Sequence, residues 1–231
     1  MEKFKGTQYK AWFTSDLHFG HPSTLYFHPE RREVAGITLE ELQVDKMSAI
    51  HKFDEWLINK WNKTIAKKDF VYILGDFCLG NKEYTRKILD RLHGRKFLIK
   101  GNHDKSCQGL ENYFEWVGDI KEVKFTHNQY PFIDPEEPFI IELCHFPMVA
   151  WNRRPHGTCH CHGHCHSSMC DFNSQSNELR IDIGLDSQIA NLNFVSLEQV
   201  YNKMCEIKNT TNSSTFKEHT EKLMEKQGFR A

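Results

Sequence analysis

Residues 69–76 read DFVYILGD, an apolar run followed directly by a glycine and a carboxylate. A short, unbroken apolar run of this kind is typical of a strand that is buried on both faces. A β-rich run over 9–15, YKAWFTS, precedes it and leads into Asp16. A third run over 96–100, KFLIK, follows it and leads into Gly101. We predict that these three segments are strands.

Helices are predicted between the three strands. Thr38 and Glu41 have the spacing of a capping box, and apolar residues recur at helical spacing from Leu39 to Trp61. These features predict one long amphipathic helix. A second helix is predicted over 82–92. Strands that alternate with helices favour parallel pairing with helices covering the sheet, which is the α/β fold class.

The second half of the chain is predicted to contain more strands than helices. Four further strands are expected, over 120–126, 139–143, 158–161 and 179–183. A proline-containing loop covers 129–138, and a capping box at Ser196 begins a helix that ends near Ile207. We therefore predict one domain over 1–208, followed by a polar linker and a short C-terminal helix or tail over 209–231.

The composition indicates a globular protein that is close to neutral. Of the 231 residues, 39% are hydrophobic and 26% are charged, and the formal net charge is −1. General nucleic-acid binders usually carry excess positive charge, so this class is disfavoured, although nucleic acid stays among the candidate partners through a local basic patch. No apolar stretch approaches the roughly 18 residues of a membrane span, and no signal peptide is recognisable. With eight cysteines, these features predict reduced thiols, a cytoplasmic location and no membrane association.

Residues able to bind metals follow the ends of several predicted strands. They are Asp16, His18, Asp76, Asn102, His103, Asp104, His145, His164 and His166. The carboxyl ends of parallel strands meet at one edge of a sheet, so we expect these side chains to converge. Carboxylate, amide and imidazole ligands together suit divalent Mn, Fe, Co, Ni or Zn, and there are too many candidates for one ion. A carboxylate shared by two ions would place them about 3.5–4 Å apart, the spacing used for displacement at phosphorus.

A segment rich in histidine and cysteine, over 156–170, supports a second hypothesis. It contains five histidines and four cysteines, and it could form a non-enzymatic zinc-binding interaction module. The cysteine spacing does not repeat the paired knuckles of such modules, and a zinc module has no use for the ligands in the first hundred residues. His160 and His162 would share one face of a strand, where they are either exposed or adjacent to the metal ligands.

Six motifs occur in a fixed order along the chain: FTSDLHFGH, YILGDFCLG, LIKGNHD, LCHFP, CHCHGHCH and RIDIGLD. This ordered set resembles the calcineurin-like metallophosphoesterases, most closely their small stand-alone bacterial and phage branch. The resemblance extends from the first motif to the last. It implies a four-layer α/β-β/α sandwich with the active site at the strand ends.

The resemblance also implies roles for the candidate residues. The first metal would be bound by Asp16, His18 and His166, and the second by Asn102, His145 and His164. Asp76 would bridge both ions. His103 would either stabilise the phosphoryl oxygens or protonate the leaving group, and Asp104 would orient His103.

Together these features predict a dinuclear metal-dependent phosphoesterase. It would hydrolyse a phosphomonoester or a phosphodiester by attack of a metal-bound hydroxide, using two divalent ions drawn from Mn, Fe, Ni or Zn. The substrate is a phosphate ester, with nucleotides among the candidates. Arg153 and Arg154 would either clamp a substrate phosphate or lie in a solvated loop, and His21 would either reach the site or stabilise a turn. The sequence leaves the substrate, the native metals and the oligomeric state open.

Overall fold

The chain folds into two β-sheets and a set of covering helices in a computed structural model, which describes residues 9–169, 172–173, 176 and 178–211. The strands are β1 (Ala11–Thr14), β2 (Phe70–Ile73), β3 (Arg95–Ile99), β4 (Phe114–Gly118), β5 (Ile120–Phe125), β6 (Phe139–Cys144), β7 (Cys159–His162), β8 (Arg180–Asp182) and β9 (Val195–Ser196). The helices are α1 (Thr24–Phe27), α2 (Pro29–Val34), α3 (Leu39–Val44), α4 (Lys46–Thr64), α5 (Lys82–Leu89) and α6 (Leu197–Thr211).

The two sheets are mostly parallel. The first has the order β4-β3-β2-β1-β9, in which β1 to β4 pair in parallel and β9 is antiparallel to β1. The second has the order β5-β6-β7-β8, in which only β5 is antiparallel. The bridge between Ser15 and Gly184 joins the chain just after β1 to the chain just after β8. The strand ends that carry the candidate ligands therefore lie at the same edge of the molecule.

An aromatic cluster fills the space between the two sheets. The Tyr72 ring stacks on Phe13 at 5.2 Å and on Phe97 at 4.9 Å, and all three belong to the first sheet. Phe125 of the second sheet meets Phe13 and Tyr72 edge-on, at 6.3 Å in both cases. Edge-on and offset pairs of this kind are the preferred arrangements of aromatic rings. The two sheets therefore share a single packed core.

Helices cover the outer face of the first sheet, as the alternating sequence pattern predicts. Helix α4 buries Ile50, Phe53, Leu57 and Trp61 at helical spacing within that layer. Across the molecule, the loop before β7 packs Trp151 at 5.3 Å from the His160 ring, on the outer face of the second sheet. The predicted α/β-β/α sandwich is confirmed. No helix in the part of the chain that the structure describes is long and apolar enough to cross a membrane.

The prediction of one continuous helix from Leu39 to Trp61 is wrong. The capping box on Thr38 forms as predicted, but the helix ends at Val44 and a new helix begins at Lys46. Asp45 lies between them with an extended backbone, and its carboxylate accepts hydrogen bonds from the first amides of α4. An Asp side chain that caps the following turn competes with the continuing helix, which explains the break.

Strands β4 and β9 were not predicted from the sequence. Strand β4 is a partly exposed edge strand, and β9 is only two residues long. The predicted capping box at Ser196 is present, and α6 continues to Thr211, beyond the predicted domain boundary at 208. The rest of the predicted linker and tail, 212–231, lies outside the described residues.

Candidate metal centre

The candidate ligands lie on turns whose backbone is strained. Asp16, His18, Asp76, His164 and His166 all have positive φ angles, between 43° and 68°. Residues other than glycine rarely adopt this left-handed conformation, and such strain is concentrated at functional sites, where the surrounding structure enforces it. Two backbone bonds enforce it here, because the amides of Asp16 and His18 donate to the carbonyls of Gly75 and Asp76 at 3.1 and 3.0 Å.

Asp16, His18 and His166 form the first ligand set. The Nε2 atoms of the two imidazoles are 3.2 Å apart, and Asp16 Oδ1 lies 3.9 Å from His18 Nε2 and 3.8 Å from His166 Nε2. Asp16 is fully buried, and its Oδ1 has no hydrogen-bond partner among the described residues. A buried carboxylate oxygen without a donor is costly unless a cation approaches it. The first set therefore fits a bound metal ion.

Asp76, Asn102, His145 and His164 form the second ligand set. His145 Nε2 lies 3.1 Å from Asn102 Oδ1 and 3.6 Å from Asp76 Oδ1, and one ligand atom of His164 lies within 4.8 Å of those of Asp76 and His145. His145 donates its Nδ1–H to the Leu74 carbonyl at 2.7 Å. This bond leaves the lone pair of Nε2 directed at the other ligands, as in metal-binding histidines generally.

Asp76 lies between the two sets. Its Oδ2 is 3.8 Å from His18 Nε2, and its Oδ1 is 3.6 Å from His145 Nε2. The structure thus brings the other six predicted ligands together around the Asp76 carboxylate. Their function as ligands stays a prediction.

The two imidazoles of the first set differ in their electrostatics. Burial, together with the nearby positive charge of Arg31, lowers the pKa of His18 to about 2. Burial opposes the charged form of His166, but its hydrogen bond to Asp186 and the nearby charge of Asp16 outweigh burial and raise the pKa of His166. Burial raises the pKa of Asp16 to about 6, although nearby histidines partly oppose this. A neutral imidazole has a free lone pair for a metal, and a cation would offset the cost of burying the charged carboxylate.

His103 lies at the open side of the centre. It is exposed, its backbone amide donates to Asp76 Oδ1 at 2.9 Å, and its ring lies 6.0 Å from the His18 ring. The His21 ring lies 5.6 Å from His18, and its buried Nδ1 has no hydrogen-bond partner in the described chain. The His21 carbonyl accepts from the amide and the hydroxyl of Thr24 at 3.2 and 2.7 Å, so His21 stabilises a turn and also places its ring beside the site.

Asp104 connects the turns that carry the ligands. Its Oδ2 accepts from the amides of Asp76 and Gly101 at 3.0 and 2.6 Å, and its Oδ1 accepts from Phe77 at 2.8 Å. The sequence hypothesis was that Asp104 orients the His103 ring. The hydrogen bonds that the structure gives this carboxylate go instead to the backbone, where they fix the turns after β2 and β3 relative to each other.

Two residues of the centre were not identified from the sequence. His166 donates its Nδ1–H to Asp186 Oδ2 at 2.7 Å, and Asp186 pairs with the guanidinium of the fully buried Arg31. Burial disfavours the charged form of Asp186, but the His166 bond and the Arg31 charge outweigh it and hold the pKa of Asp186 well below its usual range. The RIDIGLD motif contains Asp186, but no local pattern connects it with Arg31.

The comparisons with known proteins agree with this geometry. A family model described as calcineurin-like phosphoesterase matches residues 9–178. The chain belongs to this family. The Gene 66 protein of Mycobacterium phage D29 is 31% identical over 77% of this phosphoesterase-family chain and 88% of its own length. An uncharacterized protein of Methanocaldococcus jannaschii is 26% identical over 83% and 89%, respectively. The crystal structure of AQ665, a protein of unknown function from Aquifex aeolicus, covers 85% of this chain and 100% of its own, with a TM-score of 0.57 and 22% identity.

The histidine- and cysteine-rich segment does not form a separate zinc site in the described part of this phosphoesterase-family chain. Cys159 and Cys161 pack into the core between the sheets, whereas His160 and His162 lie on the opposite face of β7. Both histidines are buried, and burial lowers the pKa of each. His160 donates its Nδ1–H to the backbone carbonyl of Glu142, and its Nε2 accepts from the Met148 amide. Cys170 lies outside the described residues.

The rim of the centre contains an exposed aromatic residue. The Phe146 ring is 44% exposed and lies 4.9 Å from the His145 ring and 4.8 Å from the His164 ring. By contrast, the Arg154 guanidinium is paired with Glu178, so one member of the predicted arginine clamp is already bound to a carboxylate.

Proposed function

We propose that the protein is a dinuclear metal-dependent phosphoesterase. The observation that carries the proposal is the position of Asp76, whose two carboxylate oxygens face the histidines of two different ligand sets at 3.8 and 3.6 Å. One carboxylate between two such sets is the arrangement that two-metal hydrolases require. Membership of the calcineurin-like phosphoesterase family supports the same reaction class.

In this proposal the ligand residues bind the metal ions, and His103 contacts the substrate. Two divalent cations held by the two sets would neutralise the phosphoryl charge and make a water molecule more acidic. His145 and His166 hold their protons at Nδ1, through the bonds to Leu74 and Asp186, and so keep Nε2 available. His103 is exposed beside Asp76, where its ring can donate a proton to the leaving oxygen or hydrogen-bond a phosphoryl oxygen.

The proposed substrate is a phosphate ester whose organic group is aromatic, as in a nucleotide. The exposed Phe146 ring beside His145 and His164 offers a face on which a nucleobase can stack. The mixed oxygen and nitrogen ligands suit Mn, Fe, Ni or Zn. We also propose a cytoplasmic location, supported by the free state of the seven cysteines in the described part of the chain.

The test compares metal content with hydrolysis in matched variants. Wild-type protein is expected to hold two metal ions per chain and to hydrolyse bis(p-nitrophenyl) phosphate. Asp76→Ala removes the carboxylate that both sets share, so it should lose metal and abolish turnover. His103→Ala should keep both metals and lower kcat about 10²–10⁴-fold, the usual contribution of a general acid. Metal content is measured by plasma mass spectrometry on the dialysed protein.

The control is Glu115→Gln, an exposed carboxylate that pairs with Arg95 at the start of β3, the opposite end of that strand from Asn102. It removes one negative charge, as Asp76→Ala does, and should leave metal content and turnover unchanged. Metal-dependent hydrolysis that persists in Asp76→Ala would refute the bridging role. One tightly held zinc without hydrolysis in the wild type would refute the enzymatic function itself.

A further inference from the structure

We propose that Arg31 and Asp186 are a pair of positioning residues that controls metal affinity mainly at the first ligand set; this inference rests on the proposed function. Neither residue belongs to the predicted ligand sets. The Asp186 carboxylate lies between the imidazole of His166 and the guanidinium of Arg31, 155 positions earlier in the chain. The pair therefore connects helix α2 to a ligand that follows β7.

Arg31 holds two parts of the centre at once. Its Nε and Nη2 donate to the two oxygens of Asp186 at 2.7 and 2.6 Å, a bidentate geometry that only arginine provides. Its Nη2 also donates to the Asp16 carbonyl at 2.7 Å, and its Nη1 donates to the Leu17 carbonyl at 3.1 Å. A fully buried guanidinium is stable only when its donors are satisfied in this way.

The two carbonyls bonded by Arg31 belong to a strained turn of the first set. Asp16 and His18 both have positive φ, at 57° and 53°, and Leu17 lies between them. Bonds to the carbonyls of Asp16 and Leu17 oppose relaxation of this turn toward ordinary backbone angles. Arg31 therefore fixes the backbone that presents Asp16 and His18.

Asp186 fixes the third ligand of the same set. Its Oδ2 accepts the Nδ1–H of His166, which sets the tautomer and leaves Nε2 facing His18 at 3.2 Å. The Asp186 backbone carbonyl also accepts from Ser167 Oγ, directly after His166. The hydrogen bonds of Arg31 and Asp186 thus reach Asp16, Leu17, His166 and Ser167. In the second ligand set, His145 and Asp76 are oriented through Leu74 and Asp104, and His164 is joined to the first set by the bond from its amide to Asp16 Oδ2.

A different interpretation of the same residues is a third metal site. His28, His166 and Asp186 have ligand atoms within 4.8 Å of one another, and the His28 ring stacks on His166 at 4.6 Å. However, both Asp186 oxygens already accept from the Arg31 cation, and His166 Nδ1 is used as a donor. A metal there would meet a positive charge and an occupied carboxylate, so the positioning role is favoured.

The experiment measures the two metal affinities separately. Metal-free wild type, Asp186→Asn and Arg31→Lys are titrated with Mn²⁺ against a chelator, and bound ions per chain are counted by plasma mass spectrometry. Asp186→Asn keeps an oxygen that accepts from His166 but loses the negative charge. Arg31→Lys keeps the positive charge but loses the bidentate geometry of the guanidinium. In each variant we expect one of the two affinities to fall about 10–100-fold, the usual effect of removing a partner of a ligand, and the other to fall by less.

Activity is measured in parallel as a function of Mn²⁺ concentration. The concentration needed for half-maximal hydrolysis should rise about 10–100-fold in both variants, and kcat at saturating Mn²⁺ should return close to the wild-type value. Rescue by metal separates a positioning role from a general loss of structure. Glu55→Gln is the matched control, because it disrupts another bidentate pair, with Arg91 at 2.5 and 2.6 Å, on the exposed surface.

Three outcomes would overturn the inference. Two unchanged affinities in Asp186→Asn would overturn it and leave the proposed function standing. Three ions in the wild type, with the third lost in Asp186→Asn, would make Asp186 a ligand instead of a positioning residue. A wild type that binds no metal would overturn the proposed function and, with it, this inference.

Discussion

Gly163 provides a sharp test of how closely the two sheets approach at the centre. A Cβ added at this position would lie 2.5 Å from Ser15 Cβ, and it would overlap Ser15 Oγ and Asp16 Oδ2 even more. Gly163 is not among the glycines with positive φ, so its substitution acts through steric overlap alone. The turn before His164 must therefore move away from Ser15 and Asp16 by about 1 Å or more, because the contact with Asp16 Oδ2 would fall about 1 Å short of an ordinary contact of at least 3.4 Å.

The expected cost of Gly163→Ala follows from this displacement. Overpacking of a tight core contact costs about 1–3 kcal/mol in the free energy of unfolding, which corresponds to a fall in Tm of about 2–12 °C for a chain of this size. The same movement displaces Asp16, whose Oδ2 accepts from the His164 amide at 2.9 Å. A misplacement of about 1 Å at a catalytic centre lowers turnover about 10²-fold.

Gly157→Ala is the matched control for this prediction. Its Cβ would meet no atom within 4 Å, but its φ of +81° disfavours any side chain, so it should cost about 1–2 kcal/mol without moving the ligands. Tm by calorimetry and hydrolysis of bis(p-nitrophenyl) phosphate at saturating metal are measured for both variants. The control should lose stability and keep wild-type turnover. If Gly163→Ala behaved in the same way, the argument that Gly163 sets the position of Asp16 would be wrong.

Two further predictions concern the rim of the site and a buried acid. Phe146→Ala should raise KM about 5–150-fold for aryl and nucleotide esters, because a lost base stack costs roughly 1–3 kcal/mol. The KM for methyl phosphate esters should stay unchanged. Equal changes in KM for both classes of ester would contradict the stacking role. Burial raises the pKa of Asp54 to about 7 from 3.8. Between these pH values the folded state binds a proton that the unfolded state has lost. The free energy of unfolding therefore falls as pH rises, by at most about 1.4 kcal/mol per pH unit. Asp54→Asn should remove that decline in urea unfolding measured from pH 4 to 8, whereas parallel pH curves for the two proteins would refute the pKa assignment.

Much of the fold follows from local sequence pattern. The run FVYIL predicts β2 because a strand covered on both faces needs continuous apolar residues, and the structure buries Phe70 to Ile73 throughout. Strand β4 was missed because an edge strand with the exposed Glu115 lacks this pattern. The break at Asp45 was missed because the apolar spacing continues through it, and only the geometry of the cap interrupts the helix.

The candidate ligands could be found from sequence because each follows a strand within a recognisable motif. Arg31 could not, because the charged segment PERREV resembles a solvated helix, yet Arg31 is fully buried against a carboxylate 155 positions away. The faces of β7 were predicted only in part. Alternation places His160 and His162 together, but which neighbours occupy their ring nitrogens depends on the loop at Met148 and on Asn173.

The position of the centre, between two sheets, makes the interior of the protein a determinant of its chemistry. Asp16 and Asp76 extend from one sheet and His145 from the other, and the rings of Phe13, Tyr72 and Phe125 set how far apart these sheets stand. The aromatic layer thus acts as a spacer that sets the distance between the candidate ligands of the two sheets. Redesign of the interior for thermal robustness would have to preserve the thickness of that layer as well as its volume.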